Sequence, residues 1–214
     1  MNNELRDRTV LVTGVTTGLM KIVATDLARA GARLVMVSRR ADEGEKLRQR
    51  IIYLTGNPHV SHEAVDLSSQ TQVRRFAGRF LDRHDRLHLL INGSSEAFRR
   101  YSLTSDGIEQ TLALNYLSAF LLTNILVPLL EASAPSRVIN VSSGLHTKGR
   151  IDFDDLQSED SYDKWDAYAQ SKLANVLFAY ELERRFLTAD ANALVLSNVA
   201  RLADAHEAGR PSGI

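Results

Sequence analysis

The chain has 214 residues, enough for one substantial core and short for two complete catalytic domains. Lys+Arg and Asp+Glu both total 26, so the formal charge is +0, and no basic run interleaved with aromatics marks a nucleic-acid footprint. There is no cysteine, which excludes disulfides, thiol nucleophiles and Cys-zinc sites and leaves any redox chemistry to a borrowed cofactor.

The opening MNNELRDRTVLV enters an apolar run almost at once, leaving no room for a signal peptide, so a soluble, cytoplasmic protein is expected. A first strand is predicted over residues 9–13 and a first helix over 19–30. Between them Thr13, Gly14, Thr16, Thr17, Gly18 and Leu19 form a glycine-bearing strand-to-helix turn of the kind that lets backbone approach a pyrophosphate. A bare tight turn is the plainer alternative. The second strand, 33–37, runs into Ser38-Arg39-Arg40 where NAD-binding folds carry an acidic residue; an arginine there suits a 2′-phosphate, so NADP(H) is preferred, with NAD(H) as the alternative.

A helix over 42–54 leads to a third strand, 60–65, closed by Asp66, and a helix over 69–84 capped by Ser68 or Ser69. The fourth strand, 87–91, ends at Asn92. Asp66 and Asn92 sit where side chains border an adenine and ribose or cap the neighbouring helices. A helix over 106–132 includes an apolar stretch, 117–130, that is short of the roughly 20 residues needed to cross a bilayer, so no transmembrane segment is expected. The fifth strand, 137–141, is followed by a polar, acidic insertion over 149–163, a helix over 165–187 and a sixth strand over 193–197. Alternating strands and helices with right-handed crossovers imply a doubly wound, Rossmann-type α/β three-layer sandwich on a parallel sheet of about six strands. It forms a single domain over residues 1–202, with a flexible tail over 203–214.

On the last helix Tyr168 and Lys172 are one turn apart, which puts a phenol and an ammonium on one face, where the positive charge favours phenolate. Ser143 lies upstream in NVSSG. His59 with His62, and His84 with His88, lack a third ligand at a recognisable spacing, so no metal site is expected.

TGVTTG, VDL, LLIN, Asn115 in LALNYL, NVSSG and YAQSK together resemble the short-chain dehydrogenase/reductase family over residues 9–199. SRRADEGEKL, LTNILVPLL and YAQSKLANVLFAYEL are most similar to its retinol-dehydrogenase-like branch. The resemblance implies an NADP-dependent interconversion of a hydrophobic alcohol and its aldehyde or ketone. It makes Tyr168 the general acid and base, with Lys172 lowering its pKa and holding the nicotinamide ribose. Ser143 would hydrogen-bond the substrate oxygen, and Asn115 would hold a helix distortion and proton relay. It also adds Leu67 and Gly93 to the cofactor contacts and implies a homodimer or homotetramer.

Four departures stand against that pattern. The third glycine of the turn is Met20, which must fill cofactor space or push the helix off its strand; the usual Asn-Asn-Ala-Gly reads Asn92-Gly93-Ser94-Ser95. A Pro-Gly turn is replaced by Ser197-Asn198-Val199-Ala200, and the chain stops soon after the sixth strand, where a lid usually follows. A catalytically silent nucleotide-binding or interaction module is therefore the competing expectation.

Overall fold

The computed structural model describes residues 4–16, 18–185 and the backbone of 189–196. Six parallel strands, β1 (Thr9–Thr13), β2 (Arg33–Ser38), β3 (Val60–Ala64), β4 (Leu89–Asn92), β5 (Ser136–Ser143) and β6 (Ala189–Leu196), lie in the order β3-β2-β1-β4-β5-β6. All five residues of β1 are buried, as a central parallel strand covered on both faces requires. Its side chains alternate: Val10 and Val12 face one apolar cluster, Leu11 the other.

Helices α1 (Gly18–Arg29) and α2 (Ala41–Thr55) cover the first face through Met20, Ala24, Ala28, Leu47 and Ile51. The second face carries α3 (Gln70–Arg83), in which Val73, Phe76, Ala77 and Phe80 recur at helical spacing and are buried. Ser69 caps α3 by accepting from the Gln72 N–H, which selects between the two predicted caps. On the same face α4 (Gln110–Leu112), a π-helical turn (Ala113–Leu117) and α5 (Ser118–Ala132) run on as one 23-residue helix. This corrects the expectation of a stretch too short to span: by length and composition alone Gln110–Ala132 is long and apolar enough to cross a membrane. Packing accounts for one stripe of it, since Leu122, Leu126 and Leu130 are buried against the sheet and α3, while 39% of its most apolar stretch is buried. Helix α6 (Lys164–Arg185) completes this layer with Phe178 and Leu182.

The doubly wound architecture and its strand count thus follow the sequence pattern, with element ends shifted by a few residues. The substituted turn at Ser197-Asn198-Val199-Ala200 and the predicted tail lie outside the described residues. His84 stacks on Phe80 at 4.3 Å, and His88 Nδ1 accepts the Thr9 N–H at 3.0 Å, so each ring has a packing or backbone partner.

The start of the long helix is fixed by a buried carboxylate. Glu109, 2% exposed, accepts from the Thr111 and Leu112 N–H groups at 2.7 Å each, where the unpaired amides and the helix dipole favour negative charge. Replacing it leaves two donors short of partners. Glu109→Ala should lower unfolding free energy by about 2 kcal/mol in urea titrations, and Glu109→Gln by less, because one amide oxygen still accepts.

Candidate active site

Strand order reverses between β1 and β4, and at such a switch point the connections leave in opposite directions and open a crevice at the strands' C-terminal ends. Here that crevice is a cleft of about 640 Å³. Two glycines make its throat. Gly14 has φ +78°, and a Cβ on it would lie 2.8 Å from the backbone of Gly93 and Ser94. Thr13 does not line the cleft; its Oγ1 lies behind it, accepting the N–H groups of Gly93 and Ser94 at 3.0 and 3.3 Å and so tying the two strand ends together.

Among the expected cofactor residues, Gly14, Thr16, Leu19, Ser38 and Arg39 line the cleft, as do Asp66, Leu67 and Gly93. Gly18 opens α1 away from the lining, and Thr17 lies outside the described residues. Asn92 is placed elsewhere: it is buried beneath the cleft, its Nδ2 donating to Thr123 Oγ1 at 3.0 Å and to Asn140 Oδ1 at 2.8 Å. Asp66 Oδ1 accepts from the Ser68 N–H and Oγ–H, so it closes the turn into α3 while bordering the cleft.

Met20 turns inward from the start of α1 and forms part of the cleft wall. It is 5% exposed, and its Sδ and Cγ occupy the place of the side chain Gly93 lacks: a Cβ there would be 2.4 and 2.5 Å from them. Two of the departures noted in the sequence therefore fit each other sterically. The remaining glycine departure, Ser95, lines the cleft.

At the far end Ser143, Tyr168 and Lys172 line the same cleft. Ser143 ends β5 and accepts the Leu145 N–H at 3.3 Å, which leaves its own proton free to donate; its carbonyl lies 2.7 Å from His146 Nδ1. Tyr168 is partly exposed and Lys172 only 1% exposed, with its Nζ 5.4 Å from the centre of the tyrosine ring. Nζ donates to the Val141 carbonyl at 3.0 Å, and burial pulls its pKa down to about 8. Ser142 Oγ donates to the Lys172 carbonyl at 2.8 Å, locking α6 onto β5 at this residue.

Asn115, 2% exposed, lies behind the cleft at the middle of the π-helical turn. Its Oδ1 accepts the Glu96 N–H at 2.9 Å, and its Nδ2 donates to the Glu96 carbonyl and Ser171 Oγ at 3.0 Å each. A π turn frees a backbone carbonyl from the regular ladder, and Asn175 of α6 donates to that of Asn115 at 2.8 Å. The turn, the segment after β4 and α6 are thereby joined. Glu96 also faces Arg39 at 3.9 Å, whereas Arg40 is held on α2 by Glu43 at 2.6 Å. Sequence reasoning passed over Glu96, Ser171, Asn175 and the Val141 carbonyl; Ser171 and Asn175, within and just after YAQSK, and Val141, within NVSSG, stood near a recognisable motif.

Residues 8–195 match the sequence profile described as short chain dehydrogenase. Human retinol dehydrogenase 11 is 44% identical over 182 residues, covering 85% of this chain and 57% of its own. Human retinol dehydrogenase 13 is 41% identical over 209 residues, covering 97% and 62%. The chain thus spans somewhat over half the length of these curated relatives. Among solved structures, an uncharacterised protein from Mycobacterium paratuberculosis matches with TM-score 0.80 and 37% identity over 93% of this chain and 73% of that one. Pseudomonas aeruginosa RhlG, in an NADP active-site complex, matches with TM-score 0.73 and 26% identity over 98% and 80%.

Two tests follow from this geometry. Gly93→Ala should lower the thermal midpoint by several degrees, and Met20→Ala in the same chain should recover part of the loss, giving a non-additive double-mutant cycle. Lys172 binds fewer protons folded than unfolded between pH about 8 and 10.5, so its contribution to stability rises with pH across that window. The rise should reach up to about 3 kcal/mol in urea titrations and be absent from Lys172→Met.

Proposed function

Because the chain belongs to the short-chain dehydrogenase family, in its retinol-dehydrogenase-like branch, we propose that it interconverts a hydrophobic alcohol and its aldehyde or ketone using NADP(H). The observation that carries the reading is that Tyr168, Lys172 and Ser143 share one cleft with Arg39, which stands at its opposite end.

The donor set suits a dinucleotide. Gly14 and Gly93 bring bare backbone to the throat of the cleft near the N-terminal end of α1, with Met20 packed over Gly93 in the same lining. Arg39 offers a planar cation to a 2′-phosphate, and the partly exposed Glu96 carboxylate faces it 3.9 Å away. Bound there, a nicotinamide supplies or takes the hydride. Ser143 donates its free proton to the substrate oxygen and Tyr168 transfers its phenolic proton to that oxygen during reduction, or takes it back during oxidation. Lys172 holds a positive charge over the tyrosine ring and so favours the phenolate left behind. Asn115 keeps α6 and the segment after β4 in register around these groups. A hydrophobic substrate is favoured by Leu114 in the lining and by Trp165, half exposed and packed edge-on to Tyr168 at 6.2 Å.

A silent nucleotide-binding module is the rival reading: Met20 packs against Gly93 and also lines the cleft, so its bulk stays at the throat. Purified protein should bind NADPH more tightly than NADH, and should consume NADPH with apolar aldehydes. Tyr168→Phe should lose at least about a hundredfold in turnover while retaining cofactor affinity by calorimetry. Turnover that survives the substitution would remove Tyr168 from the chemistry, and binding without turnover would select the silent module.

A further inference from the structure

Behind the cofactor end of the cleft lies a histidine that the proposed chemistry does not use. His62 sits on β3, two residues before Ala64, the residue in register with Ser38 of β2. Its Nε2 is 2.9 Å from Ser38 Oγ. Ser38 is 3% exposed and lines the cleft beside Arg39. The ring fits because α2 carries a glycine opposite it: a Cβ on Gly44 would fall 2.0 Å from Nε2. Histidine, serine and glycine thus form one stack, from α2 through β3 to the cleft.

Several charges face this ring. From α2 come Glu45 and Arg48, paired with each other at 2.6 Å; beside it on β3 is Glu63, held by Arg79 and Arg83 of α3 at 2.8 and 3.0 Å. Burial dominates and pulls the imidazole below its usual pKa, against the raising influence of Glu45 and Glu63. Near neutral pH the ring is therefore largely uncharged, with one nitrogen donating and the other accepting.

A serine hydroxyl has a single proton, and its direction decides what the cleft meets. Where Nε2 accepts, that proton points back to the ring and Ser38 shows only lone pairs to the cleft, which repel a phosphate. Where Nε2 carries a hydrogen, it donates to Ser38 Oγ and the hydroxyl proton is released to donate forward. The Arg40 carbonyl, 3.5 Å from Ser38 Oγ, is a long and weak competitor for it. A ribose 2′-hydroxyl both donates and accepts, so it is indifferent to this choice, while a 2′-phosphate at neutral pH mainly accepts.

We propose that His62 is a positioning residue for cofactor selection: its Nε2–H donates to Ser38 Oγ and so turns the Ser38 proton toward the 2′-phosphate of NADP(H) beside Arg39. The inference rests on the NADP(H) reading given above. It adds a residue outside the cleft that sets the polarity of one inside it.

Calorimetric titration of the full chain with NADP⁺ and with NAD⁺ tests it in the parent, His62→Val, Ser38→Ala and the double variant. His62→Val should weaken NADP⁺ about tenfold and leave NAD⁺ within about twofold, and the double variant should be no weaker than Ser38→Ala. The 2′-phosphate's own second ionisation, near pH 6, acts alike in all four proteins and cancels in these differences. On the unmodified protein, ¹⁵N spectra of the His62 ring should move to the Nε2–H form on saturation with NADP⁺ and not with NAD⁺. Equal losses for both cofactors, additive variants, or a ring spectrum indifferent to the 2′-phosphate would overturn the role of His62. If Arg39→Ala erases an NADP⁺ preference that His62→Val preserves, this inference falls and the cofactor reading stands. If the parent binds both cofactors alike, or neither, the two fall together.

Discussion

An ammonium group with about one hundredth of its residue surface in contact with water is the constraint around which this molecule is organised. Burying Lys172 disfavours its charge, and among the described residues no carboxylate is paired with it; a backbone carbonyl, that of Val141, and the face of the Tyr168 ring are its partners. Such an arrangement persists only if the surroundings hold the lysine firmly in place. They do so through hydrogen bonds of the helix on which it stands. Ser142 fixes the Lys172 carbonyl, Ser171 is bonded to Asn115, and Asn175 reaches the carbonyl that the π turn sets free. One turn of α6 thus has its orientation set from β5 and from the long helix at once. A side chain whose charge is maintained at a cost in stability, beside a tyrosine in an open cleft, is an arrangement suited to proton transfer more than to holding a fold together.

The throat of the cleft obeys a different constraint, that of volume. Gly14 and Gly93 approach so closely that neither position accepts a side chain without movement, and the space above Gly93 is already taken by Met20. Read singly, a methionine in place of a glycine predicts a blocked or loosened phosphate site. Read with Gly93, it is a transfer of bulk from one chain segment to another across the strand switch, leaving α1 packed on the sheet through Ala24 and Ala28. The pairing was not legible from sequence, because the two positions are far apart along the chain and no local spacing rule relates them.

That contrast describes how much could be read beforehand. Strand alternation, the β-branched and apolar runs, and the glycine-bearing turn specified the layer order and the location of the cleft, because those signals are local and periodic. The i, i+4 relation of Tyr168 and Lys172 was visible for the same reason. Asn92 was harder: ending a strand places a residue at the cleft, but its side chain turns inward to Thr123 and Asn140, a direction set by contacts with distant segments. The Val141 carbonyl left no trace in residue identity at all, since every residue carries one. The extent of the long helix was legible, expected over 106–132 and found over Gln110–Ala132, but the π turn within it has no periodic signal of its own.

The two ends of the cleft differ in how firmly they are built, and Glu96 connects them. Around Lys172 the polar groups are buried and bonded to backbone, so their geometry is set before any ligand arrives. Around Arg39 the charges are half exposed, and the ion pair with Glu96, at 3.9 Å in solvent, contributes little to stability. Glu96 is nonetheless not a free surface residue, because Asn115 holds both its N–H and its carbonyl. The same amide that joins α6 to the π turn therefore fixes the backbone from which a carboxylate faces Arg39. An anion entering at Arg39 competes with a partner whose backbone is anchored at the Lys172 end of the cleft, so the Arg39 ion pair and the placement of α6 share one polar network.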